Sequence, residues 1–255
     1  MKKKSYLIIL IILACTQLTG CSYFPQIEDF SKVISGEASQ EAKVLENELQ
    51  QMREEVADYF YYQQLDTDEE RRVYLQLANG LRTFKQQITI DRVDDETYTR
   101  AFFSVANDFP EYYWMTDAMR DGIDYQDLSE PDYPLQVEEE SEKIATLAQS
   151  IVSQAPKDHV YDTVKVFYEY IIQHTDYNLA ALSDSQISWD NQSIKSVLLD
   201  NSSVCAGYSR TFQYLCKLAG IEAVYVTGNV TGTNGETIEH AWNLVKIDQQ
   251  YYGVV

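Results

Sequence analysis

Ser202-Ser203-Val204-Cys205-Ala206-Gly207-Tyr208-Ser209 decides how the second half of this chain is read, because a turn and two serines lead into an amphipathic run that opens on a cysteine. That run carries Tyr208, Phe212, Leu215 and Ala219 on one helical face and stops at Gly220, a residue type that commonly ends helices. Ser202 or Ser203 is the expected N-cap. A cysteine at such a start faces the orphan amides of the first turn and the positive end of the helix dipole, both of which favour its thiolate. Gly207, with no side chain, would let a neighbouring strand or a substrate come close.

Downstream, Ile221 to Thr227 and Ile238 to Ile247 read as strands joined by a loop from Gly228 to Gly235. The second strand carries Glu239-His240-Ala241-Trp242-Asn243, and its alternation puts His240 and Trp242 on one face with Ile238 and Leu244, and Asn243 on the other. Asp248-Gln249 has the place of a two-residue hairpin turn, and Tyr251 to Val255 reads as a third strand. In that register Trp242 lies opposite Val255, and Val255 is diagonal to His240 at roughly 7 to 8 Å between backbones. Valine cannot accept an imidazole N–H, so an orienting partner for His240 is not found there, the terminal carboxylate of Val255 aside. Asp248 shares the face but lies eight residues along at ~3.3 Å each, out of reach. The strand ends on Val255 with an open edge, so the domain reads as incomplete at its C-terminus, cut short, closed by another subunit or simply smaller.

Upstream, Leu45, Leu49, Met52, Val56 and Phe60 form one helical stripe. Thr67-Asp68-Glu69-Glu70 has the capping-box form and opens a second helix with Val73, Leu77, Leu81, Phe84 and Ile88. A third runs from Asp95 to Asn107 and stops at Asp108-Phe109-Pro110. Asp127 to Pro134 reads as a loop, Val137 to Ser153 and Asp158 to His174 as two further helices, and Asp176 to Gln192 as polar and irregular. Ser193 caps a short helix through Leu199. The tyrosine-rich runs Tyr59-Phe60-Tyr61-Tyr62 and Tyr112-Tyr113-Trp114 either line a cleft or pack the helical region on the core.

The first residues differ from everything that follows. Met1-Lys2-Lys3-Lys4, an apolar run from Tyr6 to Ala14, and Leu18-Thr19-Gly20-Cys21 make a signal segment over residues 1–20. The last four resemble the lipobox of bacterial lipoproteins, which implies lipid attachment at Cys21, the mature end anchored in a membrane by its acyl chains, palmitate among them. A plain secretory signal and an uncleaved anchor helix are the alternatives, and all three place the body outside the cytosol. Residues 21–39 then read as a polar tether.

Removing the segment before Cys21, with Lys2, Lys3 and Lys4 and no acid, takes the formal charge from −20 to −23. So acidic a body argues against nucleic acid and anionic headgroups as partners. Of four cysteines, Cys205 and Cys216 remain in the folded body, 11 residues apart on one helix and beyond disulfide reach at ~1.5 Å per residue. No Cys/His cluster has zinc spacing, the scattered acids are not calcium loops, and the Gly228-to-Gly235 loop lacks the lysine of a phosphate loop; no metal or cofactor is expected. His159 and His174 sit at the two ends of one helix as capping or surface residues.

A cysteine at a helix start is by itself often a small buried residue, and a strand histidine often a satisfied one. The motifs around Cys205, the Leu215-to-Ile221 segment and Glu239-His240-Ala241-Trp242-Asn243, in this order, resemble the bacterial transglutaminase-like superfamily across Val137 to Val255. Asp108-Phe109-Pro110-Glu111-Tyr112-Tyr113-Trp114 resembles the helical region that precedes this domain in related exported proteins. The resemblance implies an α+β, papain-like fold, with Cys205 as nucleophile and His240 as base of a Cys-His-Asp triad whose aspartate position falls on Val255. It implies a helical region over 40–130 and a thiol domain over 137–255, its helix packed on a small antiparallel sheet. The expected function is acyl transfer, by hydrolysis or amine cross-linking, on peptide or protein amides at the cell surface or cell wall, the membrane being reached through Cys21. The alternative is a catalytically inactive or truncated binding module.

Overall fold

In the computed structural model the described residues are 27–85, 88–115, 133–182, 191–231, 235 and 237–254. The stretch read as a signal segment, Cys21, read as the lipid-attachment position, and Val255, on which the expected aspartate position falls, lie outside them. The chain divides into two units, Met1–Glu48 and Leu49–Val255. The described part of the first is helical, belonging to helix α1 (Ile27–Glu55). That helix starts inside the stretch read as a tether, where Phe30, Val33 and Ile34 already repeat at helical spacing. Everything below concerns the second unit.

Leu49, Met52 and Val56 are buried as their stripe requires, but Phe60 is exposed, because the chain breaks after Glu55 and restarts in the four-residue helix α2 (Phe60–Gln63). Helix α3 (Asp68–Arg82) begins with the expected capping box: the Thr67 hydroxyl accepts from the Glu70 amide at 3.1 Å and Glu70 Oε2 accepts from the Thr67 amide at 3.0 Å. It ends earlier than its apolar pattern suggests, at Arg82, because Phe84 takes φ +49°. Ile88 then folds back into the space beside Gly80, where a Cβ would lie 2.6 Å from its side chain. Helix α4 (Asp95–Asp108) is capped by Asp94, whose carboxylate accepts from the Thr97 amide at 2.8 Å, and packs along α3.

Two longer helices follow, α5 (Tyr133–Gln154) and α6 (Val160–His174), then the two-residue strand β1 (Asp176–Tyr177) and a 3-10 turn at Leu179–Leu182. Helix α7 (Ile194–Leu198) and strand β2 (Ser202–Ser203) lead to helix α8 (Cys205–Leu218). The N-cap of α8 is Val204, not either serine. Ser202 and Ser203 are instead used in parallel pairing with β1, and the Ser203 hydroxyl donates to the Asn191 carbonyl at 2.8 Å. Gly220 ends α8 as expected: at φ +70° it lets its own amide reach the Lys217 carbonyl and the Ile221 amide reach the Cys216 carbonyl at 2.9 Å.

The antiparallel sheet is β3 (Ala223–Thr231), β4 (Thr237–Ile247) and β5 (Gln250–Val254), in that order. Strand β3 runs four residues further than its pattern indicated, carrying Gly228 into the sheet opposite His240. The β4–β5 turn is Asp248-Gln249 as expected, both residues at positive φ (+48° and +67°), and the register places Asn243 opposite Val254. Ala241, Asn243 and Val245 face α8, while His240 and Trp242 occupy the other face. Ile144, Ile151, Phe167, Ile171, Ile194, Phe212, Leu215 and Val245 join α5, α6, α7, α8 and β4 in one core. The result is an α+β architecture, a helical N-terminal region followed by a helix packed on a small antiparallel sheet.

Candidate active site

Cys205 is the first residue of α8 and partly exposed; Cys216, about three turns further along the helix, is fully buried, and both are free thiols. Burial pushes the Cys216 thiol far up, so it stays protonated and inert. The first turn of α8 is fixed from outside. Ser203 Oγ and Ser196 Oγ are 2.7 Å apart, and a Cβ on Gly207 would lie 2.0 Å from the first and 2.9 Å from the second. Gly207 is therefore where β2 and α7 come against the helix, the close neighbour its small size allowed for.

Cys205 packs against Ala206, Tyr225 and Ala241, and His240 is the residue next to Ala241 on β4. Cys205 and His240 line one cavity of about 830 Å³. The imidazole stacks on the Trp242 ring, centroids 6.4 Å apart at 25°. Gly228 makes room for that ring. Asn243 is buried, 1 % exposed, and donates to the Val224 carbonyl at 3.3 Å, so it takes no part in the cavity. Asp248 is in the exposed turn at the far end of β4. Among the described residues the one carboxylate lining the cavity is that of Glu239, beside His240 in the chain.

Several residues that the sequence did not single out shape the thiol's surroundings. Tyr177 lines the cavity with Cys205; burial first, and then the nearby Cys205, raise its pKa, so it remains a neutral hydroxyl. Tyr225, on the other side, carries the Arg210 guanidinium 4.3 Å from its ring centroid. Burial raises its pKa against the opposing influence of Arg210.

The opposite wall of the cavity comes from the helical region, with Phe102, Phe103, Ala106 and Asn107 of α4 and then Tyr112 and Tyr113. The last carbonyls of α4, left without partners inside the helix, are taken by one stripe of α8: Arg210 donates to the Ala106 carbonyl, Gln213 Nε2 to that of Asn107 at 2.7 Å, and Lys217 Nζ to that of Asp108 at 3.2 Å. Lys217 also pairs with Glu111 at 2.8 Å; burial works against its charge, but Glu111 and Tyr59 outweigh it and its pKa is raised. The Asp108 carboxylate accepts from the amides of Tyr61 (3.0 Å) and Tyr62 (2.9 Å) and from the Tyr74 hydroxyl (2.8 Å), and Tyr61 in turn donates to the Tyr225 carbonyl. Of the tyrosine-rich runs, the first packs, with Tyr62 buried, and the second does both things, Tyr112 and Trp114 being buried while Tyr112 and Tyr113 line the cavity. The spacing 210, 213, 217 on one helical face was the available signal for the cap; the two-residue β1 gave none for Tyr177.

Residues 145–254 match the family model of the transglutaminase-like superfamily. The chain is 26% identical over 152 residues to kyphoscoliosis peptidase of Homo sapiens, covering 55% of this chain and 22% of that protein. It is 25% identical over 115 residues to the Mus musculus protein, covering 42% and 16%. The chain thus spans about a fifth of the length of the curated relatives it matches. A solved structure described as a TGase superposes with a TM-score of 0.40 and 19% identity over 58% of this chain and 37% of that one. The helix bearing Cys205 and the sheet bearing His240 therefore form a transglutaminase-like superfamily domain.

Proposed function

We propose that this chain is an extracytoplasmic lipoprotein whose transglutaminase-like domain transfers acyl groups from peptide or protein amides through a thioester on Cys205, with His240 as base. The observation that carries this reading is a partly exposed thiol on the first residue of a helix, in one cavity with an imidazole. His240 takes the thiol proton, and the sulfur attacks the amide carbon, forming the C–S bond as the carbonyl electron pair moves to oxygen. First-turn amides of α8 are the donors placed for that oxyanion. Collapse breaks the C–N bond, and the leaving amine receives the proton held by His240. Water or a second amine then adds to the thioester, His240 takes its proton, and the sulfur departs as thiolate. Stacking on Trp242 orients the imidazole. The signal segment and Cys21 support a membrane anchor, and with it substrates among surface proteins or cell-wall peptides.

The test is ammonia release from a glutamine-containing peptide, with and without a fluorescent primary amine, read beside intact mass for an acyl adduct. Ammonia release and a Cys205 adduct, both absent in Cys205→Ala, support the reading, and incorporation of the amine separates cross-linking from hydrolysis. Silence in all readouts sinks it and leaves a cell-surface binding module, a reading favoured by an imidazole whose ring partner is Trp242. Labelling with palmitate that disappears in Cys21→Ala tests the anchor separately.

A further inference from the structure

Of the three side chains of α8 that close the end of α4, Arg210 alone lines the cavity, and it is the only lysine or arginine among the described residues that does. Its guanidinium donates to the Ala106 carbonyl, approaches Asn107 Oδ1 at 3.5 Å and lies 4.3 Å from the centroid of the Tyr225 ring. All of these partners are neutral. Every other half-buried lysine or arginine among the described residues has a carboxylate: Arg71 pairs with Asp68, Arg72 with Asp91, Lys195 with Glu140, Lys217 with Glu111 and Lys246 with Glu222. Arg210 has none among them, although the chain holds 40 acidic residues against 20 basic ones and partners are plentiful. The ring and the neutral acceptors offset part of the cost of taking the guanidinium out of water and leave its charge unneutralised. Closing α4 does not call for that charge, since Gln213 does the same for the Asn107 carbonyl with a neutral amide.

We infer that Arg210 anchors a carboxylate of the substrate, so that the peptides taken by the cavity carry an acidic group close to the amide attacked by Cys205. The inference rests on the reading of Cys205 as the nucleophile and adds a substrate class to it. Cys205 packs against Tyr225 and Arg210 lies over the ring of the same residue, so thiol and guanidinium share one neighbour. Five residues of helix at ~1.5 Å each separate them by ~7.5 Å along the axis of α8, about two residues of extended peptide at ~3.3 Å each. A carboxylate held by parallel N–H bonds from the planar guanidinium fixes direction as well as position, which sets the neighbouring amide towards the sulfur. The acidic surface of the chain repels anions at long range, and one cation inside the cavity overcomes that only for a carboxylate that fits beside it. Both a side-chain carboxylate and the free end of a peptide have this chemistry.

The experiment measures ammonia release by the full chain from blocked glutamine peptides that carry glutamate or methionine two positions before or after the glutamine. A further pair ends two positions after the glutamine in a free carboxylate or a carboxamide, which tells a chain end from an acidic side chain. Calorimetry of the same peptides with Cys205→Ala gives affinity without turnover. Both kcat/KM and affinity are expected to be about ten- to thirtyfold higher for a carboxylate peptide than for its neutral partner, the factor carried by a charge-assisted hydrogen bond in a half-exposed site. Arg210→Gln, which keeps a donor for the Ala106 carbonyl, should bring that ratio to one, and Arg210→Lys, which keeps the charge and loses the fork, should lower it severalfold. A ratio near one for every pair in wild type overturns the anchor without any variant, as does the absence of binding by all the peptides. A ratio unchanged in both Arg210 variants overturns it too, by assigning the preference to another group. If ammonia is released with no preference, the acyl-transfer function stands and the anchor falls. If nothing releases ammonia while Cys205→Ala shows a binding preference that Arg210→Gln removes, the acyl-transfer function falls and the anchor stands.

Discussion

A Cβ placed on Gly228 would lie 2.8 Å from Cη2 of Trp242, the ring on which His240 stacks. Gly228 is also the register partner of His240 across β3 and β4. One missing side chain thus fixes where the tryptophan lies and, through it, where the imidazole lies. Gly228→Ala is expected to push the indole aside at a cost of ~1–3 kcal/mol. Thermal unfolding would register the cost, and the pH profile of Cys205 alkylation would lose its dependence on His240. A profile identical to wild type would show that the indole does not place the imidazole.

Gly207→Ala should be the more damaging change. The added methyl meets the Ser203 hydroxyl at 2.0 Å, the Ser196 hydroxyl at 2.9 Å and the Ser193 carbonyl at 3.0 Å, the last of which is backbone and cannot rotate away. The first turn of α8 must then lift from α7 and β2, carrying Cys205 with it. A loss of ~1–3 kcal/mol or more in urea-induced unfolding is the expected result. Relief by a second change, Ser203→Gly, would identify the contact.

Asp108 links stability to pH. Burial raises its pKa from 3.8 to about 6, against the amides of Tyr61 and Tyr62 and the Tyr74 hydroxyl that favour its charged form. The folded protein therefore holds this proton more tightly than the unfolded chain does. Its contribution is complete below the unfolded pKa and is lost as pH rises through the folded value. Stability therefore falls between roughly pH 4 and pH 6, with a slope of up to ~1.4 kcal/mol per pH unit. Asp108→Asn should abolish that slope while lowering stability throughout, because an amide nitrogen cannot accept from a backbone N–H. A slope that survives in the variant would assign it to another group.

Gln249 sits at φ +67° in the β4–β5 turn beside Asp248 at +48°. Two-residue turns of this hand favour glycine, above all at the second position. Gln249→Gly is expected to stabilise the hairpin by about 0.5–1 kcal/mol, since the left-handed conformation costs other residues ~1–2 kcal/mol and glycine gives part of that back in chain entropy. A higher midpoint of thermal unfolding checks it.

The residues that carried the strongest local signals were legible in the sequence. Thr67 and Glu70 cap as their spacing indicates, Gly220 closes α8, Asp248-Gln249 turns the hairpin, and His240 shares a face with Trp242. The Cys205 and His240 motifs occur in order, and the family match over 145–254 falls within the stretch from Val137 to Val255 that carries the resemblance. What escaped depends on contacts distant in sequence. Ser203 looks like a cap until Tyr177, 26 positions earlier, pairs with it. Tyr177 itself sat in a stretch read as irregular because two-residue strands have no periodicity to detect. Asp108 looked like a helix stop, and only the amides of Tyr61 and Tyr62, 46 or more positions away, give it its second role.

Arg210, Gln213 and Lys217 close the end of a helix that lies more than a hundred positions earlier in the chain. Such contacts close a long loop, whose entropy cost the packing of α4 against α8 must offset. Residues 145–254 taken alone would keep the thiol and the imidazole but leave three polar side chains without their carbonyls and one wall of the cavity open to water. The boundaries of the family match and of the cavity therefore do not coincide, and the cavity is a joint product of two stretches of sequence, only one of which the family model covers.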